Sequence, residues 1–116
     1  MISQVRPSDL AAWLQAESAA TGPGQAVVLD VREPWELQAA SVKAEGFKLV
    51  TIAMNEIPAR LAELDADQPV ACLCHHGARS LRVASFLAQN GFTHVANIAG
   101  GINAWTDEVD ANVPRY

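Results

Sequence analysis

The sequence has little of several features that would point to particular classes of protein. No apolar run approaches the roughly 18 to 20 residues that a membrane-spanning helix requires, so we expect no membrane segment. Met1–Val5 is short and is followed by Arg6, unlike a secretory signal peptide, and the expected location is the cytoplasm. No repeat, linker or low-complexity stretch interrupts the chain. Its 116 residues, 50% of them hydrophobic, predict a single compact domain over residues 1–116.

Positive charge is scarce overall, because 8 Lys and Arg face 13 Asp and Glu, for a formal net charge of −5. A nucleic-acid surface would normally show clustered Lys and Arg, so we expect no nucleic-acid partner. The exception is local: His75, His76, Arg79 and Arg82 lie close together in the sequence, and we expect Arg32 near them. This cluster predicts a positively charged mouth that attracts a small anion.

Only two cysteines are present, Cys72 and Cys74. In one extended strand their Cα atoms would lie roughly 6.6 Å apart, at the far limit of disulfide geometry, so we expect no bridge. Cys72 is expected to pack as a small apolar side chain, with a role in resolving an oxidised Cys74 as the alternative. A metal site built from Cys74, His75 and His76 is not expected, because a second cluster with zinc-ligand spacing is missing. No cofactor is predicted.

Apolar runs alternate with helical patterns along the whole chain. Strands with near-continuous apolar character, separated by helices, predict an α/β domain with a mainly parallel central sheet flanked by helices on both faces. The three tryptophans, Trp13, Trp35 and Trp105, are expected in the core, and His94 is expected to be structural. The predicted strands are 26–29, 47–52, 69–74 and 93–98. Four helices are predicted: one capped by Ser8 and ended by a break at 21–24, one beginning at Pro34, one capped by Asn55, and one between Cys74 and Gly91.

Cys74 is the candidate reactive residue, because it ends an apolar strand and precedes a short turn into a helix. Unpaired N–H groups and the positive end of the helix dipole favour an anion there, and Arg79 and Arg82 add cationic charge. Such surroundings lower the pKa of a thiol from about 8.5 to roughly 3.5–7.5, so we expect Cys74 to be largely thiolate. The alternative is a buried structural thiol.

The loop from Cys74 to Arg79 resembles the active-site loop of the rhodanese family of sulfurtransferases, whose six-residue turn follows the pattern C-x-x-G-x-R. Two further matches occur in the family's order: Asp30–Glu33 is similar to its D-V-R-E segment, and Gly100–Trp105 to its G-G-x-x-x-W ending. Many members also carry an H-I-P-G-A turn, and here that stretch is an altered loop over residues 38–47. We therefore transfer no functional residue across it.

The resemblance implies a sulfurtransferase of the thiosulfate:cyanide type with Cys74 as the catalytic nucleophile. A Cys74 persulfide would form from thiosulfate or a similar donor and would pass its sulfur to cyanide, a thiol or a protein acceptor. The backbone of His75–Ser80 would bind the sulfur anion, with Gly77 letting the backbone curl. Asp30 and Arg32 would support the loop.

Three roles stay open in the sequence. Arg79 either orients the donor or forms a structural ion pair beneath the loop. His75 and His76 either tune the charge or contact the donor, although adjacent loop side chains usually diverge. The alternatives to the enzyme are a persulfide carrier without efficient small-molecule turnover and a cysteine phosphatase or arsenate reductase, whose loops have one residue more.

Overall fold

A sheet of five parallel strands runs through the middle of the computed structural model, which describes residues 2–21 and 26–116. The spatial order of the strands is β1-β5-β4-β2-β3, and each neighbouring pair is parallel. The predicted α/β class with a parallel sheet is therefore confirmed. The strands are β1 (Ser3–Val5), β2 (Val27–Asp30), β3 (Lys48–Thr51), β4 (Val70–Leu73) and β5 (Val95–Ile98).

Helices cover both faces of the sheet, as the buried apolar strands require. One core contains Leu10 and Leu14 with Ile102 and Trp105, and the other contains Ile57 with residues 83–87. The helices are α1 (Leu10–Thr21), α2 (Pro34–Ala39), α3 (Ile57–Arg60), α4 (Ala78–Gln89) and α5 (Gly101–Glu108); short 3-10 turns lie at Pro7–Asp9, Met54–Glu56 and Leu61–Glu63. Within the described residues, no helix has the length and apolarity to cross a bilayer.

The four predicted strands are all present, with bounds shifted by one or two residues. The strand β1 was not predicted, because it has three residues, two of them exposed, and therefore shows no periodic pattern. Gly91 has a φ of +91° and follows the C-cap of α4, so its predicted place after that helix is confirmed. Pro34 opens α2 as predicted.

Two predicted helix caps are wrong. Ser8 lies inside the first 3-10 turn, and its hydroxyl donates to Glu108 of α5 at 2.9 Å. Asn55 lies inside the second 3-10 turn, and Glu56 precedes α3 without a side-chain cap. In both cases the chain tightens into a 3-10 turn before the helix begins, which moves the start of the helix past the polar residue. Of the break predicted at 21–24, Thr21 still belongs to α1, and residues 22–24 lie outside the described residues.

The tryptophans divide into buried and exposed. Trp105 is buried and Trp13 packs partly against the same core, as predicted. Trp35, in contrast, is 62% exposed, so its predicted place in the core is wrong. The residue that α2 buries is Glu36, one position further along, because that carboxylate is paired with the Arg79 guanidinium.

Parallel strands bring the ends of β2 and β4 to the same edge of the sheet. Asp30 pairs in register with Leu73, and the N–H of Val31 donates to the Leu73 carbonyl at 2.9 Å. The next residue of β4's chain is Cys74, so Cys74 and Arg32 lie at one edge. This is the edge at which sites form in open α/β sheets.

Candidate active site

Cys74 lies at the floor of a tight loop between β4 and α4. Gly77, with a φ of +106°, turns the backbone so that its N–H donates to the Cys74 Sγ at 3.1 Å. The Ser80 hydroxyl oxygen lies 3.2 Å from the same sulfur. Only 1% of Cys74 is exposed, so the loop leaves a narrow approach to the sulfur.

The first turn of α4 presents free donors in this loop. The N–H groups of Ala78, Arg79 and Ser80 form no hydrogen bond with any group in residues 2–21 and 26–116. Of the N–H groups in His75–Ser80, that of Gly77 donates to Sγ, and binding of a sulfur anion by the rest of this backbone stays a prediction. The other donors are left for an anion bound above the sulfur.

The carbonyl groups of Cys74 and His75 cap α5. Ile102 N–H donates to the Cys74 carbonyl at 2.9 Å, and Asn103 N–H donates to the His75 carbonyl at 3.2 Å. Gly101 allows this approach, because a Cβ there would lie 2.5 Å from the Cys74 carbonyl oxygen, at a φ of +59°. The contact explains why α5 begins with a glycine at position 101.

Arg79 is paired with a carboxylate of α2. Its guanidinium nitrogens donate to the two Glu36 oxygens at 2.6 and 2.8 Å, and Glu36 also accepts from the Glu33 N–H and the Tyr116 hydroxyl. The hydrogen bonds from Arg79, chiefly, lower the pKa of Glu36 to about 2. The hydrogen bonds that Arg79 donates to Glu36 raise the pKa of Arg79 in turn. Of the two roles left open for Arg79, this geometry favours the structural ion pair.

Arg32 is also neutralised, by Asp30 at the end of β2. Three donor–acceptor contacts of 2.7 to 3.1 Å join its guanidinium to that carboxylate, and both side chains are buried. The remaining donors of Arg32 bond to the Ala40 carbonyl and to the Tyr116 hydroxyl. The expectation of a positively charged mouth is therefore wrong for Arg32 and Arg79, since each cation lies beside an anion.

Three rings stack beside the loop. The ring centroid of His75 lies 3.9 Å from that of His76 and 4.0 Å from that of Tyr116. The premise that the two histidine side chains diverge is thus wrong. Burial, followed by the charge of His76, lowers the pKa of His75, so His75 adds little positive charge at neutral pH.

A neutral network holds the other side of the loop. The Ser80 hydroxyl lies 2.5 Å from the Asn97 Oδ1, and the Asn97 amide donates to the Gly77 carbonyl at 3.1 Å. The same amide donates to Gln4 of β1 at 3.0 Å. Side chains from two strands therefore fix the start of α4.

Cys72 and Cys74 are both free thiols. Burial, followed by the nearby Cys74 sulfur, raises the pKa of Cys72, which has no exposed surface. Its predicted packing inside the sheet is confirmed. Predicted as structural, His94 is half-buried, with its ring nitrogen 3.5 Å from Glu17.

Three residues of the site were missed in the sequence: Glu36, Tyr116 and Asn97. Asn97 carried a signal, because it is a polar residue inside the apolar run of β5, where an unpaired amide would be costly. The other two carried none, since their partners lie 43 and 80 positions away along the chain.

The chain belongs to the rhodanese-like domain family, whose sequence model matches residues 7–108. It is 37% identical over 94 residues to the Rhodanese-like/PpiC domain-containing protein 12, chloroplastic, of Arabidopsis thaliana, covering 79% of this chain but only 31% of that protein. With the thiosulfate sulfurtransferase GlpE of Vibrio cholerae it shares 33% identity over 81 residues, 70% of this chain and 73% of the relative. A solved rhodanese-related protein from Thermoplasma volcanium superposes with a TM-score of 0.71 at 30% identity, covering 92% and 93% of the two chains.

Proposed function

We propose that this protein is a sulfurtransferase that carries sulfane sulfur as a persulfide on Cys74. The observation that supports this most directly is the surroundings of the Cys74 sulfur. Gly77 N–H donates to Sγ at 3.1 Å, and unpaired N–H groups of Ala78–Ser80 begin a helix of 12 residues beside it. These donors favour an anionic sulfur over a neutral one. Relatives named as sulfurtransferases support the same chemistry.

The reaction would proceed in two displacements. The Cys74 thiolate attacks the outer sulfur of the donor, a new S–S bond forms, and the donor's own S–S bond breaks with its electron pair leaving on sulfite when thiosulfate is used. An acceptor then attacks the outer sulfur of the persulfide, and Cys74 leaves as thiolate. With cyanide the product is thiocyanate, and with a thiol it is a new persulfide.

A narrow approach favours sulfur over phosphoryl transfer. Cys74 is 1% exposed, so a single terminal sulfur atom reaches it more easily than a tetrahedral phosphate. The guanidinium of Arg79 is bound to Glu36 and is not free to cradle a phosphate. The phosphatase alternative therefore has no support from the contacts of this loop.

One observation favours the persulfide carrier as a second candidate. Thiosulfate is a dianion, and two of the arginines near the loop, Arg32 and Arg79, are each neutralised by a carboxylate. A donor or acceptor with less charge, such as an organic or protein thiol, suits that electrostatic balance better. His75 and His76, stacked at the rim, are the side chains we expect to contact it. The cytoplasmic location stays a prediction.

The test is the intact mass of reduced protein after incubation with thiosulfate, under non-reducing conditions, before and after cyanide is added. We expect wild type to gain one sulfur atom and to lose it to cyanide. Cys74→Ser should gain none, while Cys72→Ser should behave as wild type and serves as the matched control. A second arm replaces thiosulfate with an organic persulfide.

The two arms separate the candidates. Gain of sulfur from thiosulfate and release to cyanide supports the enzyme. Gain only from the organic persulfide, with slow release to cyanide and fast transfer to a protein thiol, supports the carrier. No gain from either donor contradicts both, and Cys74-dependent hydrolysis of an aryl phosphate would restore the phosphatase.

A further inference from the structure

The hydroxyl of Ser80 has one hydrogen and three neighbouring acceptors. Its oxygen lies 2.5 Å from the Asn97 Oδ1, 3.2 Å from the Cys74 Sγ and 3.3 Å from the Gly77 carbonyl oxygen. Ser80, Cys74 and Asn97 are all at least 98% buried, so water does not relieve the competition. A hydroxyl donates one hydrogen bond at a time. Ser80 can therefore donate to only one of the three acceptors at a time, although its oxygen can still accept a hydrogen bond from another group.

The orientation of Asn97 decides where that hydrogen goes. Its Nδ2 donates to two oxygens, the Gly77 carbonyl at 3.1 Å and the Gln4 side chain at 3.0 Å. The reversed amide would face both acceptors with an oxygen, so Oδ1 must be the atom that faces Ser80. Two oxygens 2.5 Å apart need a hydrogen between them, and only Ser80 has one to give.

With its hydrogen held by Asn97, Ser80 presents a lone pair to the sulfur. This suits a neutral Cys74, whose S–H donates weakly to the Ser80 oxygen 3.2 Å away. An anionic sulfur has no hydrogen to donate and faces that lone pair unfavourably. It gains a donor only if the Ser80 hydroxyl rotates toward it, which breaks the bond to Asn97.

Building on the proposed function, we propose that Asn97 is a positioning residue that controls, through Ser80, how well the loop stabilises an anionic sulfur on Cys74. When the thiolate or persulfide anion forms, the hydroxyl hydrogen stays bonded to the Ser80 oxygen and turns from Asn97 to the sulfur, and the Ser80 and Asn97 oxygens move apart because no hydrogen lies between them any longer. The thiol proton itself leaves to solvent. In the resting protein Asn97 thus holds the Ser80 hydrogen and disfavours an anionic Cys74 sulfur. When the sulfur is loaded, Asn97 releases that hydrogen, and Ser80 donates it to the sulfur.

The charged groups around Cys74 take no part in the hydrogen bonding between Ser80 and Asn97. They are the loop histidines His75 and His76 and Arg79 on α4, which Glu36 of α2 neutralises, and the Cys72 thiol on β4 is neutral. The Asp30–Arg32 pair lies at the end of β2, and the first turn of α5 against the loop, Gly101–Asn103, carries no charge. Substitution of Ser80 or Asn97 leaves all of these in place.

The experiment measures the rate of Cys74 alkylation by iodoacetamide as a function of pH, with intact mass verifying a single adduct. In Asn97→Ala the Ser80 hydrogen is free for the sulfur, so the pH of half-maximal rate should fall by about one unit, a roughly tenfold gain in rate at low pH. Ser80→Ala should raise that pH instead. In the Ser80→Ala background, Asn97→Ala should have no further effect. Gln4→Ala, which leaves the Gly77 contact of Asn97 intact, is the matched control and should not move the profile.

Two results would overturn the proposal: an unchanged half-maximal pH in Ser80→Ala, or an Asn97→Ala shift of equal size with and without the Ser80 hydroxyl. Should Asn97→Ala not fold, the isosteric Asn97→Leu removes the same acceptor. Alkylation needs no sulfur donor, so it tests the role of Asn97 without depending on sulfur transfer. The proposed function is tested independently by the gain of sulfur in the wild-type protein.

Discussion

The two sides of the Cys74 loop are held by different chemistry. Toward α2 the contacts are ionic, with Arg79 bound to Glu36 and Arg32 bound to Asp30. Toward β5 and α5 they are neutral, made by amides, a hydroxyl and the backbone. Ionic contacts respond to pH and salt, whereas neutral ones depend on close geometry. Both sides therefore hold the loop in place, and the neutral side also contacts the sulfur through Ser80.

On the neutral side, Gly101→Ala should cause the largest loss of stability of the changes considered. The added Cβ would meet the carbonyl oxygens of Cys74 and His75, which belong to backbone that cannot rotate away, at a φ of +59°. We expect a loss of about 3 kcal/mol in the free energy of unfolding, measured by urea denaturation. Gly46→Ala is the control, because Gly46 has a φ of +80° and open space around its Cβ position, and should lose only about 1 kcal/mol. Equal losses would show that the α5 contact is not tight.

Glu36→Gln should weaken the ionic side next. The change leaves the Arg79 cation without its anion, and we expect a loss of about 2 kcal/mol at pH 7. Since the folded protein lowers the pKa of Glu36 from 4.5 to about 2, the stabilisation is complete above pH 4.5 and is lost as the pH falls toward 2. The difference between wild type and variant should therefore shrink across that window.

The matched control for Glu36→Gln is Glu56→Gln, which removes one carboxylate from an exposed pair with Arg60 at 3.7 Å. That change should cost about 0.5 kcal/mol or less. A pH-independent difference between wild type and Glu36→Gln would contradict the ionic interpretation of this side.

The smallest effect is expected from Tyr116→Phe, which keeps the ring stacked on His75 but removes the hydroxyl between Glu36 and Arg32. Loss of that bridge should lower stability by about 1 kcal/mol. Thermal denaturation at pH 7 measures it, and the alkylation profile of Cys74 should stay unchanged. A shifted profile would mean that the two sides of the loop do not act separately.

Local patterns were sufficient for much of the fold. The apolar runs gave four strands, and the helix that ends before Gly91 followed from spacing, because these depend on residues close in sequence. The position of Cys74 at a strand end followed in the same way. The three-residue strand β1 and the 3-10 turns that contain Ser8 and Asn55 could not be predicted in this way, because such short elements show no periodic pattern.

The electrostatics of the site were less accessible from the sequence. A count of cations near Cys74 predicted a positive mouth, but the topology placed a carboxylate against Arg79 and another against Arg32. Glu36 is separated from Arg79 by 43 positions, and no local pattern encodes that meeting. Charge in a site thus depends on tertiary pairing, which spacing along the chain does not reveal.

The capping of α5 by the loop has a consequence for what this scaffold can become. The carbonyls of Cys74 and His75 are in register with the N–H groups of Ile102 and Asn103, so the start of the helix fixes the spacing of these two loop residues. A residue inserted between Cys74 and His75 would separate the two carbonyls and leave one of these N–H groups without its partner. Evolution toward a wider anion cradle would therefore have to rebuild the start of α5 together with the loop.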